Sequence, residues 1–215
     1  MPTFKTRIEP ELRAIAKVRS LYPVDDYDVP LLELDMQALD CPPDWAAWGS
    51  LAIASGVTDV WHFYADDHRW APVLDKPWRV ADTHPKAIAE LNFSTDLHTP
   101  LSYMLGLIYS KRWCSRYWQS LGIPIWVDAN FSPEQAEYQL LGVPPGWTAY
   151  STRACWDSPE VTQEQFEMCC TRAQTKKIMF AVIGGGKKFK SLCKKHQWLW
   201  IPDTHERIKA KYRQQ

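Results

Sequence analysis

The chain has 215 residues, 46% of them hydrophobic and 23% charged, so it can bury a core of ordinary size and is not disordered throughout. No apolar run approaches the roughly 18 residues of a membrane helix, and the charged N-terminus carries no apolar export segment. Net charge is zero, but residues 25–96 hold fourteen acids against four bases (−10), and residues 176–215 eleven bases against two acids (+9).

Six cysteines form no CxxC pair and read as reduced thiols of a cytoplasmic protein. Twelve tryptophans point to core packing, and any exposed ones to a protein partner or a homo-oligomer.

Residues 1–28 form an N-terminal arm. Val29–Asp35 reads as a first short strand. Pro42–Asp44 then opens a helical stretch (WAAWGSLAIA) that stops at Gly56. Val57–Tyr64 is rich in β-branched and aromatic residues and reads as a strand, and Ala87–Phe93 as the next. Thr99–Leu121 is the longest helical pattern, with Leu101, Met104, Leu105 and Ile108 on one stripe. Ile123–Val127 is a buried strand, and Ser132-Pro133-Glu134 caps a helix to Leu141. Trp147–Thr152 is a strand, Ser158–Gln174 a helix and Lys177–Ile183 a strand. Gly184–Gly186 leads into a helix, followed by a strand at Trp198–Ile201 and a helix at Thr204–Arg213.

Seven strands alternating with helical or irregular connections make an α/β domain with a mainly parallel sheet of repeated strand–helix units. Such a sheet is barrel-like or doubly wound, and 1–215 shows no repeat or linker that would divide it.

Parallel folds gather their strand C-termini on one face, where sites are built. Here those ends carry Glu33 and Asp35; His62, Asp66 and Asp67; Asn92, Ser94 and Asp96; Asp128 and Asn130; Ser151 and Arg153; and Asp203. Asp35, Asp96, His98 and Asp128 are the candidates for acid–base work, His98 because it follows Asp96 just before the long helix. Asn92, Ser94, Asn130 and Arg153 complete the expected site. Asp35, Asp66, Asp96 and Asp128 together could hold a hard cation such as Mg2+, although many such residues only cap helices or form turns. The six histidines contain no HxH, HExxH or HxE spacing, so no preformed zinc motif is present.

Gly184, Gly185 and Gly186 join a hydrophobic strand to a helix that carries Lys187, Lys188, Lys190, Lys194 and Lys195. Backbone N–H groups at such a turn can meet a phosphate, with Lys187, Lys190 and Lys194 on one helical face. The GxxxxGK[ST] and GxGxxG spacings are both missing. In Tyr109–Gln119 (YSKRWCSRYWQ), Arg112 and Arg116 lie one turn apart, as for ion pairs with the acidic N-terminal half.

Asn92-Phe93-Ser94, Tyr109-x-x-Arg112, Tyr117-Trp118-Gln119, Gly122-Ile123-Pro124 and Asp128-Ala129-Asn130, in this order, resemble the family catalogued as domain of unknown function number 4417. The resemblance spans about Val57 to Asp203 and departs at Asn130-Phe131, where members usually carry Arg-Trp. It supplies no reaction and implies a phage or plasmid setting, hence nucleic-acid business. Two functions follow. One is a nucleic-acid-associated replication or processing factor holding phosphates on the basic C-terminal region. The other is a small α/β enzyme, metal-dependent or not, working with carboxylates at the strand ends.

Overall fold

The computed structural model describes residues 21–49, 59–155, 158–203 and 206–207. Seven short strands lie side by side in chain order: β1 (Trp45–Ala47), β2 (Val60–His62), β3 (Ala87–Ala89), β4 (Ile125–Asp128), β5 (Ala149–Arg153), β6 (Met179–Ile183) and β7 (Leu199–Ile201). Every neighbouring pair is parallel. The helices are α1 (Asp67–Trp70), α2 (Trp78–Ala81), α3 (Leu101–Ser120), α4 (Ala136–Gln139), α5 (Pro159–Ala173) and α6 (Gly186–His196).

Sequential order explains the curvature. Right-handed crossovers that always step to the next strand put every helix on the same side. The opposite face can then be buried only against itself, so the sheet rolls into a nearly closed barrel and not a doubly wound layer. Side chains divide accordingly, with a period of two. Trp45, Val60, Ala87, Ala89, Trp126, Ala149, Ala181, Ile183 and Ile201 form one cluster inside the barrel. Trp61, Ile88, Ile125, Val127, Tyr150, Phe180 and Val182 pack outward against the helices. Eight strands leave an interior just wide enough for side chains, and seven leave less. Four inward alanines make room for two indoles, Trp45 and Trp126, packed edge to face with centroids 5.2 Å apart.

Both ends of the barrel are finished by segments outside the strands. At the N-terminal end, Gln37 pairs with Ile125, and its side-chain Oε1 accepts from Thr148 N at 2.6 Å. At the seam between the first and last strands, Arg207 donates to Trp45 O and pairs with Asp44.

Two expected elements differ. Val29–Asp35 is not a strand: Leu31 N bonds to Pro23 O, Leu32 N to Gly142 O, and Leu34–Met36 is a 3-10 turn. This segment instead covers α3, where Val29 packs on Met104 and Ile108. The first strand comes from Trp45–Ala47, read from sequence as the start of a helix that stops at Gly56; Trp48 and Gly49 form a turn, and the rest of that expected helix, 50–56, lies outside the described residues. The last expected helix is described only at Glu206 and Arg207.

The basic–aromatic run lies in the second half of α3, buried on nearly every side from Lys111 to Gln119. Barrel and N-terminal segment sandwich it, so its cations need internal partners. Arg112 pairs with Glu90 and donates to Leu141 O and Gln139 O, each at 2.7 Å. Arg116 pairs with Glu33 and lies over the Tyr22 ring. Among the described residues, the exposed large apolar side chains include no tryptophan, and Trp48 and Trp200 are partly buried. No described helix is long and apolar enough to cross a membrane.

Candidate functional site

The inward side-chain period continues past the apolar layers to the C-terminal mouth of the barrel. There it places His62 and Tyr64 after Val60, Asp128 after Trp126, and Ser151 and Arg153 after Ala149. Asp128, wholly buried, is the hub. Its Oδ2 accepts from Lys111 Nζ at 2.7 Å and Asn92 Nδ2 at 3.3 Å; its Oδ1 meets the Tyr64 hydroxyl and Asn130 N, both at 3.0 Å. The Tyr64 hydroxyl also reaches across the barrel to Ser151 O at 2.6 Å and Ser151 Oγ at 2.9 Å. Burial, followed by the Asp128 charge, holds the Tyr64 phenol well above its ordinary range, so it stays protonated.

A second buried pair supports the first. Glu90 Oε2 accepts from Arg112 and from Asp128 N at 3.0 Å. Two cations from consecutive helix positions thus neutralise two acids from adjacent strand ends. Mutual attraction offsets the desolvation of all four groups. Beside Lys111 and Asn130 lies a cavity of about 10 Å³, lined also by Thr95, Gln139 and apolar side chains. That is room for a single water centre.

His62 is buried at the same mouth. Its Nδ1 accepts from Tyr64 N at 3.3 Å, which leaves the proton of the neutral ring on Nε2. Burial first, then the charges of Arg207 and Arg153, lower its pKa to about 3, so it is neutral at physiological pH.

Of the residues expected at one site, Asn92, Asp128 and Asn130 are brought together, with Asn130 Nδ2 donating to Asn92 Oδ1 at 3.3 Å. Arg153 lies at the mouth and is exposed. Ser94 sits on the loop above, held by Asp67 through its N and Oγ. Asp96 is a turn residue: its carboxylate accepts from His98 N at 2.9 Å and Thr99 Oγ1 at 3.3 Å, with Asp96 and His98 both exposed. Asp35 lies in the 3-10 turn near Gln37, at the opposite end of the barrel, and is exposed. The four aspartates proposed for a cation therefore do not converge, since Asp66 pairs with Arg69 and Asp35 is at the far end. Among the described residues no three His, Cys, Asp or Glu side chains are placed to hold a metal ion.

Sequence reasoning missed Tyr64, Lys111 and Glu90. Tyr64 had a signal, its even spacing from Val60 and His62. Lys111 had only its place beside Arg112 in an apolar helix.

The glycine turn has a packing reason. Gly185 has φ +79°, and a Cβ there would lie 2.5 Å from the Phe189 ring and 2.6 Å from Ala154 Cβ. Its open side faces carboxylates: Asp203 Oδ2 would be 3.3 Å from a Cβ on Gly184, and Glu206 Oε1 3.6 Å from one on Gly186. Beyond it, Phe189 and Cys193 of α6 are buried, whereas Lys187, Lys188, Lys190, Lys194 and Lys195 are all exposed on the other face. Lys190 lies 4.9 Å from the Trp200 ring centroid.

No solved structure matches the chain. The chain is 30% identical to the Gene 1 protein of Mycobacterium phage L5 over 149 residues, 65% of this chain and 62% of that one. It is 29% identical to the Gene 1 protein of Mycobacterium phage D29 over 134 residues, 58% of this chain and 48% of that one. It thus spans about half to three-fifths of the length of these relatives. The model of the family described as domain of unknown function DUF4417 matches residues 24–192, which include β1 to β6 and the whole Asp128 cluster, and the chain belongs to that family.

Proposed function

We propose that this is a phage protein that associates with nucleic acid by holding phosphates along the lysine face of α6. The single observation that carries the reading is five lysines exposed on one side of one helix whose other side is buried. Lys187 and Lys195 lie eight helix positions apart, about 12 Å along the axis, which matches three or four phosphates of one strand at an axial spacing of about 3.4 Å. The relatives named above are phage proteins, which supports the setting. The six cysteines form no disulfide, which supports a reducing compartment, the host cytoplasm. Asp203 and Glu206 disfavour phosphate on the glycine amides themselves, so the lysines do the holding and Gly184–Gly186 position the helix.

Binding of mixed-sequence DNA and RNA, titrated at two salt concentrations, tests the reading. Affinity falls steeply with salt, and each Lys→Ala change lowers the salt slope by about one. Sequence preference barely changes, because phosphate contacts do not read bases. No binding at low salt, or unaltered binding in Lys187→Ala/Lys188→Ala, overturns it.

A second reading is favoured by a different observation, the gathering of Asp128, Lys111, Tyr64, Asn92 and Asn130 at the strand ends. In it, the barrel mouth is the site of a small-molecule enzyme. Saturable stabilisation by a small metabolite, lost in Asn130→Ala, supports this; stabilisation that survives the change removes it.

A further inference from the structure

We propose that His62, Arg153 and Arg207 form an oxyanion site at the barrel mouth, taking the phosphate or carboxylate group of a small ligand. For its location the inference rests on the mouth being the functional end of the barrel; it does not depend on the lysine face.

Four observations converge. The inward period places His62 on β2 and Arg153 on β5 at the same end of the barrel. The hydrogen bonds from Tyr64 to Ser151 pin those two strand ends across from each other. The backbone bond to Nδ1 fixes the His62 tautomer, so the ring offers Nε2–H, a neutral donor. Arg153 is exposed and makes no ion pair among the described residues, whereas Arg207 is anchored by Asp44 and Trp45 O and keeps further N–H groups.

The local charge balance points the same way. Asp128, the buried acid at the strand ends, has its oxygens taken by Lys111, Asn92, Tyr64 and Asn130 N. Asp203 and Glu206 hydrogen-bond to each other's backbone N–H at 2.8 Å. Among the described residues no carboxylate pairs with Arg153, and the cationic field of Arg207 and Arg153, which adds to burial in keeping His62 neutral, also attracts an anion. A fork of guanidinium N–H groups at the same mouth as an imidazole N–H suits both tetrahedral phosphate and planar carboxylate.

The test uses the full chain with 15N-labelled histidines, the His62 signals being assigned from a His62→Gln variant. Inorganic phosphate and acetate are titrated separately at constant ionic strength. One of the two shifts the His62 signals saturably and raises the His62 pKa, and the one that saturates at lower concentration identifies the group recognised. Arg153→Gln weakens that binding about tenfold or more, and Arg153→Lys retains part of it. Lys187→Ala/Lys188→Ala leaves it unchanged, which separates this site from the lysine face. Because the readout is binding, it stands or falls separately from any turnover at the mouth. Arg153 is exposed, so its variants keep the fold, and an unchanged melting temperature checks this. No saturable shift with either anion, or equal binding in Arg153→Gln, overturns the proposal.

Discussion

Lys111 shows how a buried charge is held here. Its ammonium is almost wholly buried and lies 2.7 Å from Asp128 Oδ2. Removing one partner of such a pair strands the other and costs about 3–5 kcal/mol. Lys111→Met therefore lowers the melting temperature by about 10 °C. Adding Asp128→Asn recovers part of the loss, and a thermal double-mutant cycle measures the coupling. His62 makes a separate, pH-dependent contribution. Its folded pKa of about 3 is below its ordinary value of 6.5, so between these limits the unfolded chain takes up a proton that the fold refuses. Stability therefore falls as pH drops through that window, by about 2 kcal/mol between pH 7 and 5. Urea unfolding at both pH values reads it, and His62→Gln removes that part of the pH dependence.

At the scale of elements, α6 and its glycine turn are one unit. A methyl group at Gly185 meets the Phe189 ring and Ala154 and also strains a positive φ. Gly185→Ala therefore destabilises by about 1–3 kcal/mol in urea unfolding, and the loss is one of packing. The sequence made this strand, turn and helix plain: a β-branched and aromatic run, three glycines and a two-sided helix are local signals. The first strand was not plain. Trp45, Ala46 and Ala47 are all buried, so no alternation marks them, and a short apolar run fits helix and strand equally. Val29–Asp35 has the composition of a strand but serves as a cover for α3, a tertiary role that no local pattern encodes. The Asp128 cluster was half legible. Asn92, Asp128 and Asn130 follow strands, whereas Lys111 comes from the middle of a helix and meets Asp128 only because α3 packs back along the barrel.

For the whole molecule, the seam between β1 and β7 is the weak line of the barrel. Both strands are three residues long, and Arg207 bridges the region where they face each other. Arg207→Ala leaves the strand pairings intact but loosens the seam. Hydrogen exchange of the β1 amides then rises about tenfold, the worth of roughly 1.4 kcal/mol of local stability, while β4 to β6 keep their protection. Equal protection in the variant would show that the seam closes without the arginine.

Sequential strand order also sets a timetable. Each strand pairs with the one made just before it, so the growing chain can lay down the wall of the barrel strand by strand during synthesis. The bond from Arg207 to Trp45 joins residues 162 positions apart. With the Arg207–Asp44 bond it closes the longest loop among the described hydrogen bonds, and it can form only after the chain through Arg207 has left the ribosome. Until then the barrel is an open trough whose Trp45 and Trp126 indoles are uncovered on the seam side, and that is the interval in which the nascent protein is most exposed to proteases and to aggregation.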